Sequence, residues 1–135
     1  MRHRNAVHAI LATLVAAVAP ALSGCAALQT PYSEVVGDRY HLAVPDRRAV
    51  NIVSVGTTNG WANNQAVQVS PGLHRVTVES RSHAGFRGGE VRSFELKVEP
   101  CRRYYVNAQF ANRVSAGYEP VVDEVETIGG CSAKG

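Results

Sequence analysis

The sequence is poor in the patterns that carry catalysis. No Gly-x-Ser-x-Gly, His-Glu-x-x-His or phosphate-loop pattern occurs. That sets aside the nucleophile-elbow hydrolases, the helix-borne zinc hydrolases and the P-loop nucleotide binders. Cysteine is scarce, at 3 residues, and no Cys-x-x-Cys appears among them, so no zinc spacing is matched. Aromatic residues make up 7% of the chain and are not spaced as stacking platforms for bases. Charge is thin as well: 14 Lys+Arg stand against 11 Asp+Glu, which gives no basic stripe of the nucleic-acid-binding kind. After Cys25, no stretch of helix length carries an apolar stripe at the helical period.

What the sequence does have begins at its start. Met1-Arg2-His3-Arg4 is a short basic opening. Ala6 to Leu22 is then mostly Ala, Val, Leu and Ile, interrupted by His8, Thr13 and Pro20. This is the order of an export signal: a basic n-region, an apolar h-region and small residues at a cleavage site. A spanning helix needs about 20 apolar residues, and this stretch is shorter and carries a proline near its end. Leu22-Ser23-Gly24-Cys25 comes next. The tetrad resembles the lipobox of bacterial lipoproteins, in which signal peptidase II cuts before a cysteine that has received a diacylglycerol. The resemblance implies a signal helix over 1–24 that is removed, and a mature chain that begins at an acylated Cys25. Stable anchoring takes more than one acyl chain, and three chains (palmitate among them) are implied here. In the sorting rule of such lipoproteins, Asp after the cysteine retains the protein in the inner membrane. Ala26 stands there instead, which favours the periplasmic face of the outer membrane, with the inner membrane as the alternative.

Cleavage takes 24 residues from 135 and leaves 111, enough for one domain with one core. It also removes Arg2 and Arg4, so Lys+Arg falls from 14 to 12 against 11 Asp+Glu, a net charge of +1. Global charge therefore argues for no nucleic-acid partner. With Cys25 given to lipid, Cys101 and Cys131 remain, an even pair in an oxidising compartment, and a structural disulfide is expected. A metal site or a reactive thiol is the rival use. The bridge would close a loop of roughly 30 residues, for which loop entropy gives about 3–4 kcal/mol.

The mature chain is punctuated as an all-β protein. Residues 25–38 read as a lipidated N-terminus and tether, polar and without a sustained period. Arg39 to Val44 reads as a first strand or docking segment, ended by Pro45. Strands are expected over Ala49–Val55, Gln65–Ser70, His74–Ser80, Val91–Glu99, Arg103–Phe110 and Tyr118–Ile128. Phe94, Leu96 and Val98 alternate strictly, as do Tyr104, Val106, Ala108 and Phe110. Pro100-Cys101-Arg102 is short enough to join the two as a hairpin. Pro120 marks the last strand as an edge. The expected domain is 39–131, with 132–135 a tail.

At Ser70-Pro71-Gly72-Leu73-His74-Arg75-Val76-Thr77-Val78 and Tyr104-Tyr105-Val106 the chain resembles the PEGA-type and related Ig-like modules of bacterial envelope proteins. The resemblance covers roughly positions 65 to 110 and implies a small antiparallel Ig-like β-sandwich. The whole chain also resembles small proteobacterial lipoproteins. Neither resemblance supplies a reaction.

Candidate chemistry is sparse. His41, His74 and His83 do not converge at metal-ligand spacing, and neither a metal nor a cofactor is expected. Asp123, Glu124 and Glu126 are the nearest carboxylates to an acid–base set; at period 2, Glu124 and Glu126 share a solvated face and Asp123 points away. The long loop Arg81–Gly89 is the leading contact candidate, because it exceeds what a hairpin needs. It carries Arg81, His83, Phe86 and Arg87 among glycines, a mixture suited to an anionic glycan or a protein. Trp61, among Asn59, Asn63 and Asn64, is the second. The expectation is a non-catalytic, lipid-anchored envelope protein that binds or supports a periplasmic or outer-membrane protein partner. The alternative is a module for a small envelope ligand or glycan bound through the 81–89 loop. A flat free sheet edge favours the first, a deep pocket with convergent polar groups the second.

Overall fold

A computed structural model describes residues 30–39, 43–60, 66–81 and 89–133. The export signal and Cys25 lie outside them. The described chain is all-β, and no helix occurs in it. Its strands are β1 (Ser33–Val36), β2 (Arg47–Val55), β3 (Thr58–Asn59), β4 (Val67–Val69), β5 (Gly72–Ser80), β6 (Val91–Val98), β7 (Arg102–Phe110) and β8 (Tyr118–Thr127). They form one mixed sheet along the path β4-β1-β7-β2-β5-β6, with β3 on β2 and β8 on β7.

The sheet turns on β7. β8 covers one of its edges along its whole length, from Arg102↔Thr127 to Phe110↔Tyr118. A strand has two edges, so β1 and β2 share the other. β1 runs parallel to β7 at Glu34↔Arg103 to Val36↔Tyr105. β2 comes from the opposite end, antiparallel, at Arg47↔Gln109 to Ala49↔Asn107. Blocked by β1, it leaves β7 and pairs with β5 from Val50↔Ser80 onward. Gly37 sits at this handover, its carbonyl accepting the Val50 N–H at 2.7 Å. A Cβ at Gly37 would stand 2.5 Å from the Val50 carbonyl oxygen, so only glycine fits.

The alternating residues fill one core. Val35, Val50, Val76, Val78 and Val106 are fully buried, and Leu96, Val98, Tyr104, Phe110 and Tyr118 close around them. Full burial of a valine stabilises by about 1.5–3 kcal/mol relative to exposure. The β6 and β8 ends of the sheet approach each other at one end. There the Tyr118 hydroxyl lies 3.1 Å from the Val78 carbonyl oxygen and 3.0 Å from that of Glu90.

The structure departs from the sequence expectation at four places. Ser33–Val36, expected in the tether, is a buried strand held on both edges, by β4 and β7. It escapes a pattern search because both its faces are covered, so nothing alternates. Its parallel pairing with β7 makes the sheet mixed rather than purely antiparallel. Of the strand expected over Arg39–Val44, Tyr40, His41 and Leu42 lie outside the described residues, and Ala43–Asp46 is turn. Finally, β6 and β7 do not pair: β6 pairs with β5, and β7 with β1, β2 and β8. The short link is a crossover, not a hairpin, and Cys101 takes a φ of 60° to make it.

Candidate functional site

Of the expected contact residues, His83, Phe86, Arg87 and Trp61 lie outside the described residues, as does His41. Arg81 is half-buried, and its Nε donates to Asn51 Oδ1 at 2.9 Å, back toward β2. Gly89 closes the loop by donating to the Ser80 carbonyl at 3.2 Å with a φ of 117°. His74 bonds the Ser70 carbonyl through Nε2 at 2.7 Å, the role of a strand residue beside a turn. Among the described residues no three His, Cys, Asp or Glu gather as metal ligands.

Cys101 and Cys131 stand at disulfide distance, with Cα atoms 5.5 Å apart. The bridge ties the end of β8 to the start of β7. The first described residues meet it: Cys101 N–H donates to the Tyr32 carbonyl at 3.1 Å. Ser33 Oγ donates to the Glu99 carbonyl at 2.6 Å and accepts from Arg102 N–H at 3.1 Å. The Arg81–Gly89 loop leaves from the other end of the strands.

A groove of about 490 Å³ opens between β6 and β8, lined by Arg92, Gln109, Phe110, Gly117, Tyr118 and Glu119. Three of its polar side chains are already engaged. Arg92 pairs with Glu90, Gln109 with Arg47 and the Pro45 carbonyl, and Tyr118 with the backbone. Burial, and then the Glu90 carboxylate, push the Tyr118 phenol up to about 12. They do not converge on an empty point, as a pocket for a small polar ligand requires.

The outer face of β7 and β8 carries a network. Arg39 lies over the Tyr105 ring, 4.4 Å from its centroid, and pairs with Glu124 at 2.8 Å and Glu126 at 3.1 Å. The Tyr105 hydroxyl donates to Glu126 at 2.8 Å. That hydroxyl, then Arg39, holds the Glu126 carboxyl below its usual range. Arg103 donates to Glu34 at 2.7 Å. Glu124 and Glu126 do share a face. Asp123, expected to point away, reaches Arg47 and lies 3.3 Å from the Asn107 amide. A register shift between Tyr105 and Val106 explains it: Asp123 is the extra residue of a bulge.

β6 offers the remaining feature. Its ladder with β5 is unbroken from Gly72↔Val98 to Glu79↔Val91, and among the described residues β6 pairs with no other strand. The Ser80 N–H donates to the Glu90 carbonyl, which sets the phase of the alternating bonds. Even-numbered residues bond β5; Val91, Ser93, Glu95 and Lys97 turn their peptide groups to the free edge. On the core-facing row, Arg92 is succeeded by Phe94, Leu96 and Val98. From Phe94 to Val98 no charge points inward and no proline or bulge interrupts, and those are the usual defences of an edge. The alternation of this strand was legible in the sequence; its freedom was not, because the neighbour of a strand depends on where the chain crosses.

No family model matches the chain, and no curated protein or solved structure matches it either.

Proposed function

We propose that the chain is a lipid-anchored, non-catalytic envelope protein that holds a protein partner by strand addition at the free edge of β6. Cys25 carries the acyl chains, and the domain, a small Ig-like sandwich, works at the periplasmic face of the outer membrane. The observation that carries the reading is the regular, undefended edge from Phe94 to Val98. An added strand gains main-chain hydrogen bonds there and pockets for alternate side chains. The groove beside Tyr118 supports a small-ligand site less well, because its Arg92, Gln109 and Tyr118 are bonded to groups outside its lining.

The test is Glu95→Pro in the full chain in intact cells. Glu95 turns its N–H to the free edge, so proline removes a docking donor and leaves the β5 ladder intact. The variant should keep its fold by circular dichroism and lose its crosslinked protein adduct. Retention of the adduct, or its loss in Arg81→Ala/Arg87→Ala instead, would move the docking surface to the loop. Cys25→Ala should release the protein from membranes; continued membrane attachment would overturn the anchor.

A further inference from the structure

We infer that the strand docking on β6 is the β6 of a second copy of this chain, antiparallel and centred on Leu96. The inference rests on β6 being the docking edge, and charge selects both the occupant and the register. In a two-fold antiparallel pair each residue faces one from the other copy on the same side of the sheet. A centre at Glu95 or Lys97 sets like charges opposite each other. A centre at Ser93 or Phe94 carries Arg92, already paired with Glu90, into the apolar row. A centre at Leu96 does neither. It sets Glu95 opposite Lys97 of the other copy, twice, and Phe94 opposite Val98, twice. Arg75 lies across from Glu95 within each copy, so the outward row reads Lys97, Glu95, Arg75 across the junction, with alternating sign. Glu95 and Lys97 are also the residues whose peptide groups face the edge, so the two pairs exchange four main-chain hydrogen bonds. The half-buried Phe94 is covered in the process. The two-fold axis stands normal to the sheet, which sets the strands of two anchored copies along the bilayer.

Full-length chain is extracted in detergent, and equal amounts of unlabelled and nitrogen-15 chain are mixed. The mixture is treated with a zero-length carbodiimide, which joins a carboxylate to an amine in direct contact. A mixed-isotope Glu95–Lys97 crosslink is expected, together with a dimer by sedimentation. Glu95→Lys and Lys97→Glu should each weaken the dimer about tenfold, since two favourable pairs become two repulsive ones. The double variant Glu95→Lys/Lys97→Glu should restore it. Both side chains are exposed, so folding is not at stake. A dimer indifferent to either single change overturns this register and surface. If the chain is a monomer while Glu95→Pro still abolishes an adduct with a different protein, the second copy is wrong and the docking edge stands. If the chain is a monomer whose adduct ignores Glu95→Pro, both are wrong.

Discussion

Among the described residues, one of the two long edges of the sheet, β8, is defended and the other, β6, is open. Among those residues β8 pairs only with β7, but its outer edge carries the usual defences. Pro120 lacks a donor, the bulge at Asp123 twists the strand, and Glu119, Asp123, Glu124 and Glu126 crowd it with like charge. Three of those carboxylates are taken by Arg47 and Arg39. The disulfide fixes one end and the Tyr118 hydroxyl the other. β6 has one defence, the inward-facing Arg92 at its start. Both strands alternate, and both look like ordinary edge strands in composition. The difference lies in where the charges point: those of β6 beyond Arg92 stand on the outward row, where they select a partner instead of repelling one.

The largest effect should come from unfastening β8. Cys101→Ser/Cys131→Ser should lower stability by about 3–4 kcal/mol, read from urea midpoints, and free the tail around Ile128. The β6 dimer should persist under conditions where the variant is folded. If β6 pairing fails together with the staple, the two edges are one cooperative unit and the comparison collapses. Tyr118→Phe comes next, at about 1 kcal/mol for a buried hydroxyl bonded to backbone. It has a signature in alkali. The folded state holds this phenolic proton up to about 12, whereas an unfolded tyrosine gives it up near 10. The stability gained by retaining it is complete below about 10 and is lost as pH rises through the folded value. The wild type should therefore lose stability between those limits, and the phenylalanine variant should be flatter there. Identical alkaline limbs would mean that this hydroxyl does not join β8 to the start of β6.

Much of the fold was legible because a strand covered on one face alternates. The strands around Val76, Leu96 and Val106 lie where period 2 puts them, and Cys101 and Cys131 meet as their number suggests. β1 was illegible for the opposite reason: Ser33 and Glu34 are buried by being bonded, to Glu99, Arg102 and Arg103, and polar residues satisfied in this way leave no apolar signature. The bulge at Asp123 adds one residue to a strand that otherwise keeps its period, and a single insertion reverses the face of every later residue in that strand. The β6 edge was half legible. Its clean row and the Arg92 guard can be read from residues 91 to 98, but the crossover at Cys101 that leaves the edge unpaired depends on a positive φ that an alternating pattern does not contain.

The smallest expected effect tests whether ion pairs help to finish β8. Glu126 accepts from the Tyr105 hydroxyl and pairs with Arg39, and both hold its carboxyl below the ordinary range. A carboxylate kept ionised by folding contributes stability that is present above the ordinary glutamate value, about 4.3, and lost as pH falls through the lowered one. Tyr105→Phe removes the larger cause and leaves Arg39 in place. Melting temperature at neutral pH should change little, because the group is exposed to solvent and its pairs are screened. On acidification from pH 6 to pH 3 both proteins should begin to lose stability near the ordinary glutamate value, and the variant should lose less and level off at higher pH than the wild type. Raised salt should narrow the Arg39 share and leave the hydroxyl share standing, since a neutral hydrogen bond is not screened as an ion pair is. Superimposable acid limbs would mean that the outer-face network is solvated ornament, and that the staple, the bulge and the proline alone defend β8 while β6 stays open.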